Sequence, residues 1–230
     1  MEKILYLDLK TKNSTERIKI PVRRVILAGL SGRNEEEIER HLKELKSIGI
    51  PPPEKTPMLM RVSVDSVTTG NSIEVQGEKT SGEVEYVCLF KEDKIIITVG
   101  SDQSDFELEK FSAKRAKQIA PKVICPQAWD YSEIVDHWDD LILRSWIDIE
   151  GNKVLYQEEA LSAILSPEEL VEVVKERIGS SLENTVIFSG TVPTGIGVKP
   201  TTKFWMELDD PVLRRNLAHS YSIDSFPGYY

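Results

Sequence analysis

The chain has 230 residues, with 29 lysine and arginine residues against 38 aspartate and glutamate residues, and a formal net charge of −9. This acidic balance argues against a protein that binds nucleic-acid phosphates, two cysteines are too few for a disulfide framework, and no window approaches the roughly 18 apolar residues of a transmembrane helix. The amino terminus also lacks the apolar stretch of a signal peptide, so we expect a cytoplasmic protein that binds neither nucleic acid nor a membrane.

The amino-terminal part of the chain predicts short strands around one helix. Residues 3–9 and 18–28 have the composition of strands. Asn34 followed by Glu37 forms a capping box, and this predicts a helix over residues 34–47. The strands predicted next are residues 58–64, 72–76, 83–90 and 95–99, of which the last two form a hairpin.

The carboxyl-terminal part adds two helices and further strands. One helix is predicted over residues 106–119. Ser166, Pro167 and Glu169 form the start signal of another, with an N-cap, a proline at the first helical position and a capping-box glutamate. The remaining predicted strands are residues 139–149, 153–156, 184–189 and 201–208. Because these elements do not alternate as βαβ units, they predict an α+β fold made mostly of strands, in a single domain over residues 1–230.

Glu83 and Glu85 place two carboxylates on one face of a predicted strand, with Cα atoms about 6.5 Å apart. The strand is otherwise apolar on both faces and therefore buried, so unpaired charges at its entry are costly unless a cation compensates them. Pairing across the hairpin brings Asp102 beside them. Three carboxylates at one point suit Mg²⁺ or Mn²⁺, with Ca²⁺ as an alternative. Two other interpretations are a solvated strand end for the glutamates and an N-cap or turn for Asp102, a role that Asp105 could equally fill.

His41 lies within the apolar stripe of the first predicted helix, three residues before Glu44. At this spacing the carboxylate can hold the imidazole and raise its basicity. Beside a metal, such a pair would serve as a general base for water. A histidine on an apolar helix face is more often a satisfied core residue, and this alternative stays open.

The loop of residues 188–197 follows an apolar strand and contains Gly190, Thr191 and Thr194. Its backbone N–H groups and hydroxyls could cradle a carboxylate or a phosphate, and a plain turn is the alternative. Lys117 lies near the end of the helix over residues 106–119, where a lysine usually interacts with the helix dipole.

These motifs, in their chain order, resemble the fumarylacetoacetate hydrolase superfamily over about residues 25–200. The shared features are a His-x-x-Glu helix, a proline-rich stretch, a Glu-x-Glu strand, an aspartate on the next strand, a lysine, and a loop rich in glycine and threonine. They correspond to residues 41–44, 51–53, 83–85, Asp102, Lys117 and residues 190–197. The Ser-Gly-Glu-Val-Glu stretch at residues 81–85 is similar to a prokaryotic branch of that superfamily with no assigned reaction.

The resemblance implies a mostly β, mixed β-sandwich or roll of the fumarylacetoacetate hydrolase type with a few peripheral helices. Residues 1–65 would then carry amino-terminal strands and a lid helix, and residues 66–230 would form a β-rich core that binds the metal. Members of this superfamily are commonly homodimers, so we expect a homodimer.

The resemblance also implies roles for the candidate site residues. The metal ligands would be Glu83, Glu85 and Asp102. His41 and Glu44 would form the dyad that activates water, and Lys117 would stabilise developing negative charge. The substrate carboxylate would be held by Gly190, Thr191 and Thr194. The chain departs from the family pattern in several places. These are Phe106 where arginine is usual, an extra Val192 in the loop, and two lysines that compete with Lys117, namely Lys114 and Lys122.

These roles predict an enzyme that requires Mg²⁺ or Mn²⁺ and acts on small keto or diketo acids, by hydrolysis of a C–C bond through a metal-bound enolate. Decarboxylation, tautomerisation and hydration pass through the same kind of enolate and are the alternatives within this class. Because fold does not guarantee activity, a non-catalytic protein that binds a small carboxylate is the alternative from another class. A purely structural calcium site is the third.

Overall fold

The computed structural model describes residues 2–36, 38–39, 42–43, 53–179 and 181–226. Strands and helices are numbered in chain order. The strands are β1 (Lys3–Lys10), β2 (Thr15–Val22), β3 (Arg24–Gly29), β4 (Met58–Val62), β5 (Val67–Thr68), β6 (Ser72–Gln76), β7 (Thr80–Ser81), β8 (Val84–Lys91), β9 (Lys94–Asp102), β10 (Ser104–Asp105), β11 (Lys122–Ile124), β12 (Gln127–Asp130), β13 (Ile142–Ile149), β14 (Asn152–Ala160), β15 (Thr185–Phe188), β16 (Lys203–Asp210) and β17 (Arg215–Phe226).

Two α-helices have established bounds, α1 (Phe106–Ile119) and α2 (Pro167–Ile178). Residues 35–36, 38–39 and 42–43 are also helical and lie inside the helix predicted over residues 34–47. Among the described helices, none is both long and apolar enough to cross a membrane. Short 3₁₀ helices occupy Val64–Ser66, Tyr131–Glu133, Val135–Asp140 and Leu161–Ala163.

Two sheets form the body of the fold. The main path of the ten-stranded sheet runs β2-β1-β12-β9-β8-β15-β3-β4, with β11 beside β9 and β5 beside β11. The five-stranded sheet runs β14-β13-β16-β17-β6, and β7 and β10 form a separate short pair. Both sheets mix antiparallel neighbours with parallel ones, such as β3 with β15 and β6 with β17. The predicted α+β fold with mixed sheets and few helices is confirmed.

Strand β8 lies in the middle of the larger sheet and is buried on both faces. Val84, Tyr86 and Cys88 face the core that this sheet shares with the five-stranded sheet. Val87 and Leu89 face a second core on the opposite side of the larger sheet. The strand therefore has apolar residues at successive positions, as its sequence predicts, and it packs against a core on each side.

The prediction of one continuous strand over residues 18–28 is wrong, because the chain changes partners within this segment and forms two strands. β2 pairs with β1, whereas β3 pairs with β15. Between the two strands, the N–H of Arg23 donates to the carbonyl oxygen of Asn184 over 2.7 Å and so joins the chain to the segment before β15. The apolar pattern continues through this point because both strands are buried, so periodicity alone does not reveal the break.

The capping box predicted at the start of α2 is present. Oγ of Ser166 accepts a hydrogen bond from the N–H of Glu169 over 3.3 Å, and the carboxylate of Glu169 accepts one from the N–H of Ser166 over 2.7 Å. We expect Ser166→Ala to lower the free energy of unfolding by about 1 kcal/mol, because a backbone donor loses its acceptor. Urea denaturation measures this effect, with Ser162→Ala, at an exposed serine before the helix, as the control. Equal stability of the two variants would contradict the expectation.

Candidate metal centre

The β8–β9 hairpin brings three carboxylates to one point. Glu83 directly precedes β8, Glu85 is the second residue of this strand, and Asp102 is the last residue of β9. The N–H of Asp102 donates to the carbonyl oxygen of Glu83 over 2.9 Å, which aligns the ends of the hairpin. One oxygen from each carboxylate lies within 4.8 Å of the other two. Hard oxygen donors arranged in this way are the kind that Mg²⁺ and Mn²⁺ bind.

The three carboxylates differ in their exposure. Glu85 and Asp102 are each 2% exposed, whereas the side chain of Glu83 is 30% exposed. Burial raises the pKa of Glu85 well above its ordinary value, and the nearby charges of Asp102 and Glu83 raise it further. Glu83 therefore lies on the solvent side of the centre, and the two deeper carboxylates lie where a charge is costly unless it is compensated.

Lys117, on the last turn of α1, lies among these carboxylates. Its Nζ is 2.5 Å from Oε2 of Glu83, 3.0 Å from Oδ2 of Asp102 and 3.2 Å from Oε1 of Glu109. Burial alone would lower the pKa of Lys117, but the carboxylates of Asp102 and Glu83 outweigh it and raise that pKa well above its usual value. The surrounding carboxylates therefore favour the charged, ammonium form of Lys117.

Lys122 begins β11 and approaches Asp102 from the opposite side. Its side chain is fully buried, with Nζ 2.8 Å from Oδ1 of Asp102. Its hydrogen bonds go to the carbonyl oxygens of Gln103 and Ala120, over 2.7 and 2.9 Å. Burial would raise the pKa of Asp102, but Lys117 and Lys122 together outweigh this and lower it. Of the two lysines that compete with Lys117, only Lys122 is part of the cluster, since Lys114 is exposed on α1.

The cluster has four carboxylates and two ammonium groups, and therefore a formal charge of −2. A divalent cation bound by the three converging carboxylates would neutralise this charge, so the donor set fits such an ion in both chemistry and charge. The members of the cluster are Glu83, Glu85, Asp102, Glu109, Lys117 and Lys122.

The loop after β15 makes hydrogen bonds to Glu85 and to the residue before it. The N–H of Gly190 donates to Oε2 of Glu85 over 2.9 Å, and the hydroxyl of Thr191 donates to the carbonyl oxygen of Val84 over 2.7 Å. Thr194 pairs with the edge of β14 in an isolated bridge. These contacts join the loop to the segment that bears the carboxylates. The binding of a substrate carboxylate by Gly190, Thr191 and Thr194 stays a prediction.

Several other predicted residues lie elsewhere. His41 and Glu44 are outside the described residues, so the predicted dyad stays a prediction. Asp105, not Asp102, is the N-cap of α1, since its carboxylate accepts hydrogen bonds from the first backbone N–H groups of this helix over 2.9 Å. Phe106, which departs from the arginine usual in the superfamily pattern, is the first residue of α1 and is half-buried.

Sequence reasoning missed Glu109 and Gln157. Glu109 contacts Lys117 and accepts a hydrogen bond from the hydroxyl of Ser104 over 2.5 Å. No motif marks this glutamate, because its place depends on how α1 packs beside the hairpin. Gln157 lies one residue beyond the strand predicted over residues 153–156, and it is 1% exposed. The signal that could have found Gln157 is its place in a strand directly after Tyr156, which is buried.

The family model described as "Protein of unknown function (DUF2848)" matches residues 28–221. No curated protein matches the chain. Solved structures match most of it at low identity. A candidate fumarylacetoacetate isomerase/hydrolase from Oleispira antarctica is 19% identical, with 94% of this chain and 98% of that one covered and a TM-score of 0.65. The yeast protein ynq8, a fumarylacetoacetate hydrolase family protein, is 16% identical, with 91% and 96% covered and a TM-score of 0.59.

A third solved structure is a 2-keto-3-deoxy-D-arabinonate dehydratase complexed with magnesium and 2,5-dioxopentanoate. It is 17% identical, with 89% of this chain and 74% of that one covered and a TM-score of 0.59. At these identities the likeness establishes the fold, and the resemblance noted in the sequence is confirmed at that level. The chain therefore belongs to the family described as "Protein of unknown function (DUF2848)" and has the fold of fumarylacetoacetate hydrolase family proteins.

Proposed function

We propose that this protein is an enzyme that uses Mg²⁺ or Mn²⁺ to act on small keto or diketo acids, by hydrolysis of a C–C bond. The observation that carries this proposal is the convergence of Glu83, Glu85 and Asp102, with one oxygen of each within 4.8 Å of the others. A bound divalent ion would supply Lewis-acid activation of the substrate's oxygens. The dehydratase with the same fold, solved with magnesium and a dioxo acid, supports this class of ion and substrate.

Lys117 is the residue that we assign to the developing negative charge. Its ammonium lies 2.5 Å from Glu83, the ligand on the solvent side of the centre, so it is within reach of a molecule bound on that side. A fixed positive charge in a largely buried setting stabilises an enolate oxygen more strongly than water does. Lys122 is fully buried and donates to two carbonyl oxygens, so we assign it to holding Asp102.

His41 and Glu44 are proposed to activate the attacking water. The imidazole would take a proton from water while the carboxylate of Glu44 orients the ring and stabilises its protonated form. Decarboxylation, tautomerisation and hydration develop the same enolate charge, so the contacts around Lys117 are compatible with each of them. The homodimer and the cytoplasmic location also stay predictions.

The first experiment is thermal unfolding with and without Mn²⁺, and then with Mn²⁺ and oxalate, which imitates an enolate of a keto acid. A ligand at about 100 times its dissociation constant stabilises the folded state by about 2.7 kcal/mol. For a chain of this length that raises the melting temperature by about 5–10 °C. We expect Mn²⁺ to produce such a shift and oxalate to add to it.

The Glu83→Gln/Glu85→Gln double variant should lose both shifts. Glutamine at position 85 keeps an oxygen that can accept from the N–H of Gly190, so the loop contact is preserved while two ligand charges are removed. The control is Glu107→Gln, at an exposed glutamate of α1. Equal shifts in wild type and the double variant would exclude these carboxylates as the metal site. A shift with Ca²⁺ but with neither Mg²⁺ nor Mn²⁺ would favour a structural calcium site.

Mn²⁺ binding without turnover would favour a non-catalytic carboxylate-binding protein. The measurement that separates this alternative is a screen of keto and diketo acids with the metal-loaded protein. Turnover that is lost in Lys117→Met, while Mn²⁺ still stabilises that variant, would support an enzyme in which Lys117 acts on the substrate.

A further inference from the structure

Strand β14 contains a β-bulge beside the metal centre. Ser145 of β13 pairs with Gln157, and the next residue, Trp146, pairs with Leu155, so Tyr156 is the extra residue. Consecutive side chains of a regular strand point to opposite faces, but Tyr156 and Gln157 are both 1% exposed. The bulge therefore turns two successive side chains into the protein, which is how bulges redirect side chains near functional sites.

The amide of Gln157 makes four hydrogen bonds. Oε1 accepts from the N–H of Val84 over 3.0 Å and from the hydroxyl of Ser145 over 2.9 Å. Nε2 donates to Oγ1 of Thr191 over 2.7 Å and to the carbonyl oxygen of Val192 over 2.6 Å. The neighbours fix the orientation of the amide, because a backbone N–H can only donate and a carbonyl oxygen can only accept.

Three of these residues form a closed ring of hydrogen bonds. Val84 donates to Gln157, Gln157 donates to Thr191, and the hydroxyl of Thr191 donates back to the carbonyl oxygen of Val84 over 2.7 Å. Both backbone polar groups of Val84 are used in this ring. Val84 is the residue between the ligands Glu83 and Glu85, and Thr191 follows Gly190, whose N–H holds Glu85. The ring thus ties together the two segments that surround Glu85.

We propose that Gln157 is a positioning residue for the metal centre, acting through Val84 and Thr191 on the orientation of Glu83 and Glu85. This inference rests on the proposed function, because it assumes that these carboxylates bind a divalent ion. Gln157 is buried, and both its amide oxygen and its amide nitrogen are hydrogen-bonded to protein groups, so it does not act on substrate. Residues that orient metal ligands in this way typically change metal affinity by about 10–100-fold when they are replaced.

The test measures the dissociation constant of Mn²⁺ by electron paramagnetic resonance of the free ion. It compares wild type, Gln157→Met, Thr191→Val and the double variant at a temperature at which circular dichroism shows each of them folded. We expect Gln157→Met and Thr191→Val each to weaken Mn²⁺ binding about 10-fold. Because both break the same ring, the double variant should bind about as weakly as either single variant, not 100-fold more weakly than wild type.

The matched control is Thr98→Val, the same change as Thr191→Val at a fully buried threonine outside the ring. Oγ1 of Thr98 lies 3.2 Å from the carbonyl oxygen of Cys125 and 2.6 Å from that of Gln127, so this variant also removes a hydroxyl donor from carbonyl acceptors. Its Mn²⁺ affinity should stay within about twofold of wild type. If Thr98→Val bound Mn²⁺ as weakly as Gln157→Met does, the loss of Mn²⁺ affinity would come from general destabilisation, and the proposal would be overturned.

Wild-type affinity in Gln157→Met and Thr191→Val would overturn the role of Gln157 while leaving the metal site intact. Independent, multiplying effects of the two substitutions would also overturn it, since the ring would then not act as a unit. Absence of Mn²⁺ binding by the wild type would instead refute the proposed function. If Gln157→Met does not fold, the Mn²⁺ affinities of Thr191→Val and Thr98→Val are compared instead, and they test the ring in the same way.

Discussion

Replacing Asp102 by asparagine is expected to lower the free energy of unfolding by about 3–5 kcal/mol, because it removes one partner of buried ion pairs. Asp102 is 2% exposed, and Lys117 and Lys122 lie 3.0 and 2.8 Å from its two carboxylate oxygens. Lys122 is fully buried and would lose its paired charge without gaining contact with water. The amide has nearly the same shape as the carboxylate, so the expected loss comes from charge and not from packing.

Urea denaturation in the presence of a chelator measures this loss without a contribution from bound metal. The control is Asp105→Asn, the same substitution three residues later. Asp105 caps α1, and asparagine caps a helix about as well as aspartate does. We expect this control to lie within about 0.5 kcal/mol of wild type. If both variants are equally stable, Asp102 does not compensate the two buried lysines.

Gly190→Ala is the second substitution with a large expected effect. Gly190 has a φ of +88°, and a Cβ atom there would lie 2.2 Å from Oγ of Ser31 and 2.6 Å from the carbonyl oxygen of Ala28. Ser31 donates its hydroxyl to the carbonyl oxygen of Ser189, and Ala28 belongs to β3, so neither neighbour can move freely. We expect a loss of about 3 kcal/mol from backbone strain and steric conflict together.

The same substitution should also weaken Mn²⁺ binding, because displacing the loop removes the N–H that Glu85 accepts over 2.9 Å. Gly195→Ala is the control in the same loop, since a Cβ atom at Gly195 would meet no atom within 4 Å. Urea denaturation measures the free energy of unfolding of the two variants, and Mn²⁺ titration measures their affinity for the ion. Equal stability and equal Mn²⁺ affinity of Gly190→Ala and Gly195→Ala would show that the loop does not require glycine at position 190.

Local chemistry was sufficient to predict the elements whose signals are short in range. The capping box at Ser166 and the proline after it depend on residues within one helical turn, and both are present in α2. The period of two residues in β8 predicted apolar side chains on both faces of the strand, and these faces pack against two cores. The partner change at Arg23 has no such local signal.

Strands with few apolar residues were missed for the same reason. β17 runs over twelve residues, yet only Leu217, Tyr221 and Ile223 are buried apolar side chains within it. β11 and β12 are three and four residues long, so they are too short for a periodic pattern. β11 and β12 pair with distant strands, and β17 pairs with the distant β6 as well as with its neighbour β16. The sequence within each element does not record the pairing with a distant strand.

Local sequence patterns were enough to predict that Glu83 and Glu85 share a face and that a hairpin returns the chain to them at Asp102, because strand period and turn position are local properties. The packing of α1 and β11 beside the hairpin is what brings both Lys117 and Lys122 to Asp102, while Lys114 stays exposed. The fold also places the N–H of Gly190 on Glu85 from a loop more than a hundred positions away, and a bulge turns Gln157 inward. These contacts depend on how the two sheets and α1 pack together, and residues far apart in the chain carry no local pattern that encodes such packing.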